Sequence, residues 1–333
     1  MSLEQAKRLT ATFQGAFTPP PKTVNDIVTL VEQDRPEDAK FLAEQRNLAN
    51  RSPPTGLGPA DLARFYAARA GAADLIGRSR QKIEDSRKTA EAAGKAERMN
   101  PIERIWLRWG YGQALLDGGD PVKARAIFEA LLKEVPLKFV LESEEEGRMQ
   151  GHSIAWFGLL AATHGLLGDL AGSERAMKRV VAVHRESASW VLADQDHRIF
   201  NESAASSRAT VLDLMGKFAQ AELEHRKALD AMAPYRGWNL WLGVTREQLH
   251  RKEQQRRAQL AINLSEQGRL PEAESEARAA LQAALETHGR YTVHSADMLQ
   301  SLGTIVFAEG RYEESEWLAR TNLARALSDH LES

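Results

Sequence analysis

The 333-residue chain contains no cysteine. That excludes disulfides, thiolate nucleophiles and cysteine-based zinc sites. It does not fix a compartment, because reduced and exported proteins alike can lack cysteine. No apolar run approaches the roughly 20 residues that a membrane helix needs. The longest, Ile154 to Leu167, is broken by Thr163 and His164. Neither sign of charge dominates: 44 basic residues face 46 acidic ones, a formal charge of −2. Nothing global therefore favours nucleic acid or an anionic membrane as a partner. Met1 to Phe17 has no continuous apolar core of the signal-peptide kind. The expected location is cytoplasmic, with export left open if Met1-Ser2-Leu3 stands in place of a removed leader.

Catalytic and ligand-binding motifs are equally scarce. There is no P-loop. Gly151-His152-Ser153-Ile154-Ala155 lacks the last glycine of a nucleophile elbow, and no strand precedes it. Gly110-Tyr111-Gly112 and Gly56-Leu57-Gly58 lack the third glycine of a dinucleotide fingerprint. Asp194, Asp196 and His197 cluster, but Ile199 stands where a calcium loop needs glycine. The nine histidines show no HExxH or H-x₃-H spacing. The cluster reads as a loop and helix cap. Asn201-Glu202-Ser203 and Asn263-Leu264-Ser265 fit the glycosylation sequon but lie in predicted helices. The stretch Arg246 to Arg257 is basic, yet Glu247 and Glu253 interrupt it and no aromatics interleave, so it reads as a solvated helix face. No catalytic residue, metal or cofactor is expected, and the chain is not expected to be an enzyme.

One short pattern organises what is present. Gly216-Lys217-Phe218-Ala219-Gln220-Ala221 places a turn glycine five residues before a small residue. The same arrangement recurs at Gly119 to Ala124, Gly268 to Ala273 and Gly310 to Ser315. A glycine supplies the left-handed residue that closes one helix, and the small residue lets the next helix pack closely. With Gly77 and Gly168 added, successive turn glycines lie 42, 49, 48, 52 and 42 residues apart. Such self-similarity is the signature of a repeat array.

These units resemble tetratricopeptide repeats. The second carries Gly112, Gly119, Ala124, Phe128 and Pro136. Others carry Gly216, Phe218, Ala221, Ala228 and Leu229, then Leu260, Ala261, Gly268, Ala273, Ala280 and Leu281, then Leu302, Gly303, Gly310, Tyr312 and Leu323. Three units depart at the small position, which holds Lys82, Ser173 and Ser315. The spacing exceeds the family's usual period of about 34 residues. The stretch Ala283 to His294 is similar to the long linker of kinesin-light-chain-like repeats. The resemblance implies an all-α fold, a right-handed superhelix of about six long hairpins over residues 59–333. Residues 1–58 are expected to form an N-terminal helical cap and linker. Thr23 with Asp26 marks one helix start there, and Pro36 fits the first turn of the next.

In this family the first helix of each unit lines the concave surface. That frame places Trp109 and Gln113, then Ser206, Thr210 and Asp213, then Gln255, Ile262 and Glu266, then Gln300, Thr304 and Phe307 in the groove. The mixture is polar with few charges. The basic clamp that chaperone-tail binders use for a terminal carboxylate is absent, since those positions hold Trp109, Gln113, Ser206 and Thr210. The expected partner is a peptide or protein segment held by hydrogen bonds and a few apolar anchors. Trp106 with Trp109, and Trp238 with Trp241, lie three apart on a helix. Both packing and partner anchoring remain open for them.

Residues 22–90 also resemble the N-terminal part of bacterial proteins that join such repeats to a CHAT protease domain. Asp26-Ile27-Val28, Ala63 to Arg69 and Leu75 to Arg78 carry that resemblance. It implies an alternative, a regulatory or sensor region of a larger protease. The last helix, expected from about Glu314 to Leu331, has no polar capping helix after it. Self-association through that end is a further expectation.

Overall fold

The structure, a computed structural model, describes residues 36–134, 144–190, 194–232, 246–288 and 292–331. By its contacts the chain divides into residues 1–34 and 35–333, and the description below concerns the second unit. The expected helix start at Thr23, together with Pro136, Trp238 and Trp241, lies outside the described residues, as do the side chains of Asp194, Asp196, Leu323 and Leu327.

Among the described residues there are thirteen helices and no strand. They are α1 (Pro36–Asn50), α2 (Pro59–Leu75), α3 (Ser79–Gly94), α4 (Pro101–Asp117), α5 (Pro121–Leu132), α6 (Glu144–Leu166) and α7 (Leu170–Ser187). Then come α8 (Asp194–Leu214), α9 (Phe218–Met232), α10 (Arg246–Glu266), α11 (Leu270–His288), α12 (Val293–Ala308) and α13 (Tyr312–Leu331). From α2 onward they pair as consecutive antiparallel hairpins, α2 with α3 through to α12 with α13, and each hairpin packs on the next. α1 packs on α2.

The turn glycines make the hairpins. Gly77, Gly119, Gly168, Gly216, Gly268 and Gly310 all have φ between 69° and 83°, a left-handed conformation that costs a residue with Cβ about 1–2 kcal/mol. At Gly216 the Lys217 N–H donates to the Leu212 carbonyl and the Gly216 N–H to Asp213, each at 2.9 Å. This pair of bonds is the Schellman closure, and it satisfies carbonyls that the helix end leaves open.

After each turn the small position lets the returning helix approach. Ala124, Ala221 and Ala273 are wholly buried. Where serine replaces alanine at 315, its hydroxyl donates to the Gly303 carbonyl of the preceding helix at 2.9 Å. Lys82, the largest departure, turns its ammonium to Asp74 at 2.8 Å and to Asp117 at 2.7 Å. The cores between hairpins hold Phe128, Trp156, Phe200, Leu260 and Leu302, each buried.

The array also meets itself. α2, in the first hairpin, touches α12 in the last. Arg251 of α10 donates to Asp74 of α2 at 3.1 Å across 177 residues.

Candidate functional site

The first helix of each hairpin has one face on its partner and one turned away. In α4 the phase is set by Gly112. A Cβ there would lie 2.3 Å from the Phe128 ring, so only glycine lets α4 and α5 come this close. Ile105 and Trp109 share that side and are buried. The opposite stripe, at spacings of three and four, is Trp106, Gly110, Gln113 and Asp117.

This corrects the expectation that Trp109 lines the groove. Trp109 is 3% exposed and stacks on Phe128, so it is part of the core and cannot touch a ligand. Trp106 is the accessible one, at 39%. Its ring meets His152 edge-on at 5.7 Å and Trp156 at 5.4 Å. The Trp106 ring thus packs its inner side on the buried Trp156 and the half-buried His152 of α6, leaving its outer side to solvent. Gly110 leaves open space one turn further on.

Other expected groove residues divide in the same way. Ser206 is buried, and its hydroxyl donates to the Ser203 carbonyl at 3.2 Å. It too is removed from any ligand. Thr210 is half-buried and donates to the Ser206 carbonyl at 3.0 Å. Asp213 is a brace: one oxygen lies 2.7 Å from His225 Nε2 and the other accepts from Asn263 Nδ2 at 2.6 Å. It ties α8 to α9 and α10. Gln113 is half-buried and donates to Asp117 at 2.6 Å. Gln255 is half-buried, while Ile262, Glu266, Gln300, Thr304 and Phe307 are exposed. Phe307 meets Tyr312 edge-on at 5.1 Å.

Among the described side chains of the basic stretch of α10, Arg251, Lys252, Arg256 and Arg257 all form ion pairs. Lys252 and Arg256 both bond to Glu202 of α8, Arg256 at 2.9 Å. Arg257 pairs with Glu276 at 3.0 Å. Burial pushes the Glu202 carboxyl up, but the two cations outweigh it and hold it at about 2. Glu202 is therefore a structural ion, and the sequon beside it lies within a helix. Gly151 to Ala155 likewise sits inside α6, with Ser153 buried and bonded to the Gln150 carbonyl at 2.5 Å. No strand–turn–helix is present there to expose a nucleophile. Among the described residues no group of His, Cys, Asp and Glu could hold a metal ion.

A concavity of about 540 Å³ opens between α7, α8 and α9. Val211, Leu212 and Met215 of α8 form its floor, with Met177 and Val181 of α7 and Leu223 of α9 as walls. Sequence reasoning did not find it. The exposed leucine and valine on these helices, Leu223 and Val181, were the available signal.

No protein-family model matches the sequence, and no curated protein matches it. Solved structures do resemble the fold. One is a signal-transduction ATPase with a tetratricopeptide repeat sensor from Pyrococcus horikoshii, at 12% identity and a TM-score of 0.52. The match covers 90% of this chain and 42% of that one. Another is a putative kinesin light chain from Podosopora anserina with TPR-like repeats, at 14% identity, covering 68% of this chain and 97% of that one with a TM-score of 0.43. A third is BtubC (BKLC) from P. vanneervenii, at 15% identity, covering 76% and 90% with a TM-score of 0.42. At these identities the likeness is one of fold. The chain has a helical repeat fold like that of the tetratricopeptide array in the Pyrococcus structure.

Proposed function

We propose that the chain is a non-enzymatic scaffold whose first-helix face binds an extended segment of another protein. The observation that carries this reading is the composition of that face once the helix phases are set. Trp106, Ile262 and Phe307 offer apolar anchors, and Gln113, Gln255 and Gln300 offer amides among them. An amide both donates and accepts, which suits a peptide backbone. Trp109, Ser206 and Asp213 are not part of the proposed surface. Nucleic acid is disfavoured because Arg251, Lys252, Arg256 and Arg257 of α10 are already paired. No helix among the described residues is long and apolar enough to cross a membrane.

Selection of a displayed random-peptide library on the full chain tests the reading. Enriched peptides should share a pattern of apolar residues and lose binding when Trp106, Gln300 and Phe307 are changed together to alanine. Failure to enrich any pattern, or binding that survives the triple change, rejects the surface.

A second reading rests on the Pyrococcus structure, where a repeat array of this fold is the sensor of a longer signalling protein. Here the array would be the sensor region of a larger protein, and the CHAT-type protease is the specific form that residues 22–90 resemble. The genomic reading frame beyond Ser333 decides it: a stop codon there removes this reading.

A further inference from the structure

Repeat arrays are held by contacts between sequence neighbours, and their curvature follows from small rotations per unit. The meeting of the first hairpin with α10 and α12 departs from that rule. Asp74 lies at the end of α2 and accepts from Arg251 Nη2 at 3.1 Å. Its other oxygen accepts from Lys82 Nζ at 2.8 Å, and Lys82 reaches on to Asp117 at 2.7 Å. Beside this chain, Val293 at the start of α12 approaches the Gly77 turn. A Cβ placed on Gly77 would stand 3.8 Å from its methyl. The turn edge of the first two hairpins thus rests on the helix-starting edge of the last two.

We propose that this seam is a latch: the Arg251–Asp74 pair holds the array closed on itself, and breaking it opens the array. The latch stands on the seam alone and does not depend on what the first-helix face binds. Three properties make it a latch rather than a permanent joint. The contact is narrow and polar, the kind of intra-chain interface that allows relative motion. Its key side chains keep solvent access, Asp74 at 19% and Arg251 at 30%, so their attraction is moderate. Finally, the charges do not balance. Among the charges that act most strongly on Asp297 of α12, the carboxylates Asp74 from α2 and Asp117 from α4 stand against Lys82 from α3 and Arg251 from α10.

The surplus carboxylate is Asp297. It keeps surface exposure, yet the protein massed around it, and then Asp74 and Asp117, push its carboxyl up to about 6 against the pull of Arg251 and Lys82. Asp74 behaves oppositely. Burial raises it, but Lys82 and Arg251 hold it below the usual carboxylate range. The closed array therefore favours protonated Asp297 and ionised Asp74. Closure tightens as pH falls through about 6 and weakens again only when Asp74 takes up its proton at much lower pH.

The absence of native cysteine allows a direct test. Ser79→Cys on α3 and Gln300→Cys on α12, both exposed positions, carry spin labels in the full chain, and pulsed electron resonance reads their separation. At about pH 5 one narrow short-distance population is expected in the otherwise unchanged chain, and also with Arg251→Lys. Arg251→Glu and the milder Arg251→Gln should shift it to longer, broader distances. Asp297→Asn should give at about pH 7.5 the narrow population that the parent reaches at about pH 5. Unchanged distances in both Arg251→Glu and Arg251→Gln, with helical circular dichroism intact, overturn the latch. So does a parent distribution as broad as theirs at about pH 5.

Discussion

The Trp109 indole lies flat on the Phe128 ring, with centroids 4.2 Å apart and planes inclined by 21°. This stack, with Gly112 beneath the same ring, decides which way α4 faces. Trp109 goes to the core and Trp106 to the surface. Removing a buried aromatic costs about 3–5 kcal/mol, because the cavity relaxes only in part. Trp109→Ala should destabilise by that amount in urea. Trp106→Ala should cost less in the same measurement, about 1–2 kcal/mol, because 39% of its surface is already in water. Equal costs would mean the phase of α4 is wrong.

Two glycines two residues apart should respond with opposite signs. Gly112→Ala drives a methyl into Phe128, and overpacking of this kind costs about 1–3 kcal/mol. Gly110 has nothing within 4 Å of its would-be Cβ and lies inside an exposed helix stretch. Gly110→Ala should stabilise by about 0.5–1 kcal/mol through the gain in helix propensity. Thermal melts of the two variants give the comparison.

Glu202 should make stability fall on acidification. Its folded carboxyl sits at about 2, below the ordinary 4.5. The depressed value contributes stability that is fully present above about pH 4.5 and is lost as pH falls through about 2. Glu202→Gln strands Lys252 and Arg256 without their anion, which costs about 3–5 kcal/mol for a buried pair. The gap between variant and parent should be widest at neutral pH, narrow below about pH 4.5 and close only below about pH 2. A gap independent of pH over that range would argue against the triad.

Asp213→Ala removes a shared acceptor. His225 is 1% exposed and would lose the partner of its Nε2, while Asn263 would lose one of its bonds. Leaving such groups unsatisfied costs about 1–3 kcal/mol each. The loss should appear as reduced cooperativity between α8–α9 and α10–α11 in hydrogen exchange. Unaltered protection in α10 would show that the brace carries little.

The hairpins were legible because single residues state their requirements. A left-handed turn asks for glycine, and Gly77, Gly119, Gly168, Gly216, Gly268 and Gly310 all supply it. Close approach after the turn asks for a small side chain, and even the exceptions answer locally, Ser315 by bonding to Gly303 and Lys82 by bonding to Asp74. The binding face was only half legible. Trp106 and Trp109 are separated by about 60° around a helix, and here that angle spans the boundary between core and solvent. Gly112 and Phe128 were both recognised as repeat residues, but their mutual contact, which sets the phase, is a matter of tertiary packing. The seam was not legible at all. It depends on curvature summed over many hairpins, and nothing near Asp74 in sequence points to Arg251.

The most direct test of the binding account is the affinity of one library-selected peptide for three forms of the chain. The account predicts that Trp106→Ala weakens binding about tenfold or more, the loss expected of an aromatic anchor worth at least 1.4 kcal/mol. Leu223→Ala, which alters the concavity between α7, α8 and α9, should leave affinity within about twofold. Loss of binding in Leu223→Ala with none in Trp106→Ala would contradict the account and move the partner to that concavity.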